Sequence, residues 1–532
     1  MELALQLLGL LTPGLIISAF AIPISKFFKW NRVPGLIAIV SSLFAVVSTT
    51  LMLYHVYEHG PVVYTYGGWP PHFGIVYEVD LFNAMLGAFT SWIMFTVVLY
   101  SVWYSHHIDD PVWYYILLLG LETGILGCLY TGDAFNLFVM LEVLGISAYG
   151  LVAYHRDKAE SVEASSKYAL IGAVATTFYF TAVIVLYAGY GTVNIALLSW
   201  LSRVANQESI QAIKYLSLFS VGLALWVFTY KSALFPNHFW LPDAHPEAPT
   251  PISAALSGLV VNVGVYATIR FLYTIFGEGS IAIEYRAIVL SALFILGSIS
   301  GLIGALMMMI QKDIKRLLAY STICHMGIIY MGLSIGFITN SREAITLAMT
   351  GTIVHVIAHG IAKALLFMAS GILIDASGSR DLDEMRGIGR FYPLTSLSLL
   401  FGFLSLAGFI PFIGFYSKLL IALGYVDVGF TLGAVLIIVI SALSIPGYLK
   451  AISSIIFATS EKQVKRNKPL WIEYLLLIMA LSLLALGVVF YRTSFIYSNT
   501  ARSVLMVEEY ILKARELIPI ELLDKYIVLK GG

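Results

Sequence analysis

The sequence predicts an all-α, polytopic membrane protein of about fourteen transmembrane helices. Three observations predict it. Hydrophobic residues make up 59% of the 532-residue chain. Charged residues make up only 12%, where an ordinary soluble domain carries about 25%. Apolar runs of roughly 20 residues, long enough for a helix to cross a hydrocarbon core, recur from end to end, and the mean hydropathy is +0.87.

The first two spans are expected at 3–22 and 34–57. The leading run is apolar from Leu3 and has no small-residue cleavage signal, so it reads as a span rather than a signal peptide. The polar stretch 58–78, rich in Gly, Pro, Tyr and Val, is expected to form a small exposed hairpin. Further spans follow near 80–104, 112–131, 133–154, 167–190, 213–236, 252–275, 285–310 and 317–338. The last four lie near 343–374, 392–424, 429–457 and 469–492. Two of these look broken, because Lys231 is followed by Pro236 and Lys418 is preceded by Pro411 and Gly414. A similar set of spans separates the two breaks, which suggests an internal repeat with a paired site in each half. The chain thus divides into a core, 1–495, with repeats at about 112–275 and 285–457, and a tail, 496–532. In the tail, Val504, Val507, Ile511 and Leu512 recur at helical spacing against Glu508, Glu509, Lys513 and Arg515 before Pro519. That is an amphipathic helix, lying on the membrane, against a partner, or capping its own bundle.

Lysine and arginine set the orientation. Alternation of the spans gathers Lys26, Lys29, Arg32, Arg156, Lys158 and Lys167 on one side with Lys312, Lys315 and Arg316. Arg380, Arg386, Arg390, Lys462, Lys465, Arg466 and Lys468 join them. The opposite short loops offer Arg203, Arg286 and Arg342. The basic side is expected to be cytoplasmic in a plasma membrane, with both termini outside. The tail is an exception, with Arg492, Arg502, Lys513 and Arg515 on the outer side.

Six ionisable groups fall inside predicted spans: Glu142, Lys231, His355, His359, Lys363 and Lys418. A charge at the bilayer centre costs about 2.5–3.5 kcal/mol on insertion scales, so such groups mark ion pathways. A lysine out of water switches between charged and neutral when a carboxylate moves toward or away from it. Glu142 is the natural partner of Lys231; the competing reading is a static ion pair that orients helices. His355, His359 and Lys363 stand at i, i+4 and i+8 and share one helix face, where imidazoles can pass protons. A metal needs a third ligand, and no HExxH motif is present, so no metal is expected. Single structural histidines remain the simpler alternative for either residue. His325 is a candidate bridge between the halves or a satisfied core histidine, and Glu122 and His238 are candidate accessory groups. His55, His59, His106 and His107 lie at predicted water interfaces and receive no role. Gly120, Gly124, Gly297 and Gly301 suit close helix packing. Cys128 and Cys324 form no CxxC pair and no phosphate-binding loop is present, so iron–sulfur ligation and nucleotide-driven transport lack support.

The stretch 231–254, KSALFPNHFWLPDAHPEAPTPISA, closely resembles the seventh-to-eighth helix signature of the antiporter-like membrane subunits. These occur in respiratory complex I (its L, M and N subunits), in Mrp-type cation/proton antiporters and in membrane-bound energy-converting hydrogenases. TGDAFNLFVMLEVLGISAYGLVAY (131–154) looks most like the Mrp D and hydrogenase subunits. DIKRLLAYSTICHMG (313–327), HVIAHGIAKALLFMASG (355–371) and GFIPFIGFYSK (408–418) match further blocks of the family.

The resemblance implies two inverted five-helix repeats, spans four to eight and nine to thirteen, with helices 7 and 12 broken. It also implies a proton path: Glu142 and Lys231 in one half, then His355, His359 and Lys363, and Lys418 as the terminal group. One position departs. In SGLVVNVGVYATIR (257–270), Asn262 stands where the family usually has a connecting lysine, and His325 stands where glutamine is common. Asn262 with ordered water, or His325, is then the candidate bridge.

The expectation is a proton-translocating, antiporter-like subunit of a multisubunit redox-driven complex, holding no cofactor and no catalytic site of its own. Its expected partners are other membrane subunits, including further antiporter-like ones, a soluble redox arm, protons and lipid, with no nucleic acid. Two readings compete: a Na⁺/H⁺ antiporter component of Mrp type, and a structural subunit whose conduction is impaired at Asn262.

Overall fold

The structure, a computed structural model, describes residues 2–28, 32–204, 210–459 and 469–519. Lys29, Lys462, Lys465, Arg466 and Lys468, and the end of the tail, lie outside the described residues. The chain begins with α1 (Glu2–Ala21), α2 (Ile24–Phe27) and α3 (Val33–His59), then a hairpin of β1 (Val62–Thr65) and β2 (Val76–Val79). Next come α4 (Leu81–Tyr104), α5 (Pro111–Tyr130), α6 (Ala134–Val152), α7 (Ala159–Tyr190) and α8 (Ile195–Val204). After them run α9 (Ile210–Lys231), α10 (Leu241–Glu247), α11 (Thr250–Ala255) and α12 (Val261–Ile269). Then follow α13 (Ile283–Ile310), α14 (Ile314–Leu333), α15 (Arg342–Ser377), α16 (Pro393–Ala407) and α17 (Ile413–Asp427). The chain closes with α18 (Thr431–Ile452), α19 (Leu470–Val488), α20 (Phe490–Leu505) and α21 (Glu508–Arg515).

Among the described residues, 13 helices are long and apolar enough to cross a membrane. The predicted span 392–424 is instead two half-helices, α16 and α17, which together add one more crossing, the twelfth in chain order. The seventh crossing stops at Lys231 rather than 236: the chain turns through Ala233 at φ +51 and resumes as α10. α11 and α12 form one crossing, 250–275, joined through a π-helical turn at 256–260. Short polar side chains start the helices by accepting the first free amides: Asp80 from Asn83, Asp133 from Asn136, and Asp313 from Lys315 and Arg316.

Glycines bring the helices close where the sequence places them. A Cβ on Gly327 would lie 2.4 Å from the carbonyl of Gly297 and from the amide of Gly301, so α13 and α14 pack backbone to backbone. Gly124 meets the Leu144 amide in the same way, at 2.5 Å.

The loops form two ends. At one, Asp243 pairs with Lys167 (3.2 Å) and Arg316 (2.7 Å), and Arg380 pairs with Glu247 and Asp313, both at 3.2 Å. At the other, Arg342 pairs with Glu278 at 2.6 Å. The hairpin lies at this second end. It is less exposed than its composition suggests: β2 is buried and its Tyr77 forms a bridge with Thr131. The start of the tail packs on the chain's own bundle. Tyr510, Ile511 and Ala514 are buried and the Arg515 guanidinium lies 4.4 Å over the Trp200 ring, while Leu512, expected on the apolar face, is exposed. The expected boundary at 495/496 falls within α20.

Beneath the hairpin lies a buried ionic cluster. Asp80 takes a two-pronged ion pair from Arg270 at 2.6 and 2.7 Å. Tyr266 accepts from Arg270 Nε at 3.1 Å, and the Tyr510 ring stands 5.1 Å from the guanidinium. Next to them the fully buried Glu78 accepts from Asn194 Nδ2 at 2.7 Å. Burial pushes the Glu78 carboxyl up to about 7, against the opposing pull of Asn194, Tyr510 and the Arg270 charge. Between its ordinary 4.5 and about 7 the folded protein holds a proton that the unfolded chain has released, so stability falls as pH rises through that window. The shift is of the order of 3 kcal/mol. Glu78→Gln should therefore gain on the wild type in thermal denaturation as pH rises from about 5 to about 7, and then hold a constant advantage. A difference independent of pH would show that Glu78 is ionised throughout.

Candidate functional site

Lys231 ends α9 at the break, where continuing backbone hydrogen bonds are lost and the chain must be covered by protein. Its Nζ is buried and has no hydrogen-bond partner. It sits instead among three tyrosine rings, 5.4 Å from Tyr149, 5.7 Å from Tyr168 and 5.8 Å from Tyr230, whose faces attract a cation. Glu142 on α6 lies within electrostatic reach of Lys231 and Tyr149, but no direct ion pair joins it to the lysine. The pairing expected from the sequence is thus replaced by a cage of rings, with the half-buried carboxylate standing outside it.

In the other half, Lys418 lies on α17 just past its break. Its Nζ donates to the Leu406 carbonyl at 2.6 Å and to Ala407 at 3.4 Å, the free carbonyls at the end of α16. The preceding residue, Ser417, reaches His355 Nδ1 at 2.7 Å. His355 Nε2 lies 3.0 Å from His325 Nδ1, and His325 Nε2 lies 2.7 Å from the Tyr448 hydroxyl. Tyr448 in turn meets Ser321 at 2.7 Å. Ser417, His355, His325, Tyr448 and Ser321 therefore make one buried chain of hydrogen bonds across α17, α15, α14 and α18. His355 does not bond along its own helix to His359. The His325 ring wedges between them, with centroids 5.2 Å from His355 and 5.7 Å from His359, because α14 packs against that face of α15. Both nitrogens of His359 are buried without a partner. Lys363 donates to the Leu318 carbonyl on α14 at 3.0 Å.

Between the halves, Asn262 is buried and donates to the Gly258 carbonyl of its own crossing at 2.7 Å, leaving Oδ1 without a partner. Hydroxyl groups surround this seam. Ser232, next to Lys231, lies 3.0 Å from the Tyr330 hydroxyl, which lies 3.0 Å from Thr268. Ser257 and Thr322 meet at 2.6 Å, one helical turn from His325. A π-helical turn at 256–260 lies here, a distortion frequent at functional sites.

The remaining candidates lie off this row. Glu122 accepts from Ser42 on α3 at 3.0 Å, and its second oxygen is buried without a partner. His238 is half-buried, against the Pro236 carbonyl at 3.3 Å and the Phe235 ring at 5.6 Å. Sequence reasoning missed the tyrosine cage, Ser417, Tyr448, and two buried basic groups at the end of the row. Lys315 donates to the Ala248 carbonyl at 2.8 Å, and His245, with both nitrogens unpartnered, lies in electrostatic reach of Lys363 and Lys315. The sequence signal for His245 is its place inside the block 231–254, fourteen residues after Lys231.

Residues 131–444 match the family described as NADH:quinone oxidoreductase/Mrp antiporter, transmembrane. The chain is 31% identical over 399 residues to the N subunit of the NADH-quinone oxidoreductase of Desulforudis audaxviator, covering 74% of this chain and 75% of that protein. It is 31% identical over 432 residues to the D subunit of the Na⁺/H⁺ antiporter of Alkalihalophilus pseudofirmus, covering 81% of this chain and 83% of that one. Its structure is similar to a chain of the membrane-bound sulfane sulfur reductase, an archaeal respiratory membrane complex. The TM-score is 0.86 and the identity 27%, over 96% of this chain and all (100%) of the other. A chain of the Mrp complex from a Dietzia species shares the fold at a TM-score of 0.84 and 23% identity, over 97% and 100%.

Tyr448→Phe removes the hydroxyl that joins His325 to Ser321 and leaves both buried groups short of a partner. It should cost about 1–3 kcal/mol in stability, read as a lower melting temperature in detergent. An unchanged melting temperature would show that the contact is not a net stabilising one.

Proposed function

Since the chain belongs to the NADH:quinone oxidoreductase/Mrp antiporter transmembrane family, we propose that it is the proton-translocating, antiporter-like subunit of a multisubunit, redox-driven membrane complex. The observation that carries this reading is the buried run Ser417–His355–His325–Tyr448–Ser321. Each member can both donate and accept, so a proton entering at one end can leave at the other by successive hops. A static structural core would be served by apolar packing and would not need two imidazoles in contact.

Protons enter from Glu142 toward Lys231, whose ammonium is held by rings rather than by a counter-ion. A change in the charge at Glu142, driven by a neighbouring subunit, loads or empties the lysine. Hydroxyls of Ser232, Tyr330 and Thr268, with water at the free oxygen of Asn262, carry the proton to α14. His325 takes the place of the connecting lysine and passes it to His355, and Lys418 is the exit group. Lys363, His359 and His245 form a branch toward the basic end.

The scheme takes the chain as two inverted repeats, and two pairs of features fit that. Asp133 starts α6 and bridges to Asn194 at the hairpin end, and Asp313 starts α14 and bridges to Asp381 at the basic end. The matching broken crossings carry Lys231 and Lys418. The basic end faces the cytoplasm, and the complex sits in the plasma membrane. Both termini lie on the outer side in this reading, and Thr12 of α1 hydrogen-bonds Tyr77 of the hairpin at 2.7 Å. The half-buried Glu142 is covered by another membrane subunit, and a soluble redox arm supplies the energy.

A second reading, exchange of Na⁺ for H⁺, is favoured by the similarity to the D subunit of the Na⁺/H⁺ antiporter of Alkalihalophilus pseudofirmus. Na⁺ needs several oxygen ligands, and Glu122 with Ser42 would supply two or three of them. In vesicles holding the assembled complex, proton uptake without radioactive sodium efflux supports the main reading, and coupled sodium flux supports the second. Lys231→Ala and Glu142→Gln should each lower proton translocation about tenfold or more while the assembled complex persists. Undiminished pumping in both contradicts the proposal.

A further inference from the structure

At the basic end of the bundle, away from the proton row, three metal-ligating side chains converge. His106 and His107 form the short turn 105–107 that follows α4, and Asp375 projects from the last turn of α15. Their ligand atoms all lie within 4.8 Å of one another, the one such group among the described residues. His107 Nε2 is 2.8 Å from Asp375 Oδ1, His106 Nε2 is 3.6 Å from Oδ2, and the two imidazole rings stand 4.2 Å apart. Both histidines reach solvent, with 46% and 37% of their side chains exposed, so an ion can enter.

The second contact of His106 sets the tautomer of its neutral ring. His106 Nδ1 lies 2.9 Å from the Trp103 carbonyl. A carbonyl only accepts, so Nδ1 carries the hydrogen and Nε2 of the neutral ring presents its lone pair. That lone pair faces a carboxylate oxygen, itself an acceptor. Two acceptors so placed can share a cation between them. A proton makes a poor bridge at 3.6 Å, since a charge-assisted N–H···O bond spans about 2.7–2.9 Å. A divalent ion bonded at about 2.0–2.1 Å to tetrahedral ligands sets them about 3.3 Å apart, within a small adjustment of the observed spacing. A ring whose far nitrogen is anchored to a backbone carbonyl is also the usual arrangement of a metal-bound histidine.

We propose that His106, His107 and Asp375 form a binding site for a divalent cation of the zinc class, with water in the remaining position. Two neutral imidazoles and one carboxylate suit Zn²⁺, whereas Mg²⁺ and Ca²⁺ prefer oxygen-only shells. The hydrogen bond between His107 and Asp375 gives way to the metal, and the His107 proton moves to Nδ1. The bound ion ties the end of α4 to the end of α15, the helix that carries His355, His359 and Lys363. Asp375 lies twelve residues beyond Lys363, about 18 Å along the same rigid helix. Resting on the proton-path reading, bound Zn²⁺ restrains α15 and slows translocation.

The test uses the full-length chain in detergent, purified without a histidine tag. Zn²⁺ is titrated in competition with a chromophoric chelator, and Co²⁺ substitution is followed by visible absorption. One Zn²⁺ per chain should bind, with affinity about tenfold or more weaker in His106→Ala, His107→Ala and Asp375→Asn. His106→Gln, at an exposed position, guards against misfolding, and circular dichroism checks that every variant keeps its helices. Binding unchanged in these variants, as expected if His55 and His59 held the ion instead, overturns the site, as does the absence of Zn²⁺ binding. The effect on transport is separate: Zn²⁺ that binds at the site without slowing proton uptake contradicts the restraint on α15 and leaves the site itself standing.

Discussion

Among the described residues four lysine side chains are buried, at 231, 315, 363 and 418, and none has a carboxylate against it. That constraint shapes the rest of the structure. An ammonium out of water must be solvated by something, and here it is solvated by tyrosine faces at Lys231 and by backbone carbonyls at Lys315, Lys363 and Lys418, those of Lys418 left free where a helix stops. For Lys418 the carbonyls are those of α16, freed only because the crossing is broken there. For Lys231 the break ends the helix at the lysine itself and lets Tyr149, Tyr168 and Tyr230 close around it. Rings and carbonyl dipoles hold a cation without fixing an anion beside it, so a proton can depart without stranding a buried carboxylate. A stable ion pair at either place would hold the charge still.

In the proposed path the imidazole contact between α14 and α15 is the link between the halves. Asn262 cannot carry a proton as an ion, and it spends its amide on its own helix. His325, on the facing helix, bonds directly to His355. The direct side-chain contact into the His355 half is thus made from α14, not from Asn262. Glycine also brings the crossing that holds Asn262 against α15: a Cβ on Gly258 would lie 2.8 Å from the carbonyl of Gly360, the residue after His359.

What the sequence shows and what it hides follow from the same geometry. Helix length, the two broken crossings and the stacking of His355, His359 and Lys363 depend on spacing along one chain segment, and they were legible. The contact of His325 with His355, and the roles of Tyr448 and Ser417, depend on which helices meet, and hydropathy carries no such information. Glu142 and Lys231 were expected to pair because opposite charges in lipid attract; the tyrosines of α6, α7 and α9 offered a cage that charge counting does not register. The hairpin was legible from its turn residues, but the burial of β2 was not, since Glu78 and Tyr77 read as surface residues until Asn194 and Thr131 are brought over them.

The central claim is that protons cross between the halves through His325. The direct measurement is proton translocation by the assembled complex in sealed vesicles, comparing wild type with His325→Phe, which keeps a ring of similar size and removes both nitrogens. The account predicts loss of translocation while the driving reaction continues and the complex remains assembled. Translocation at the wild-type ratio of protons to turnovers would contradict it.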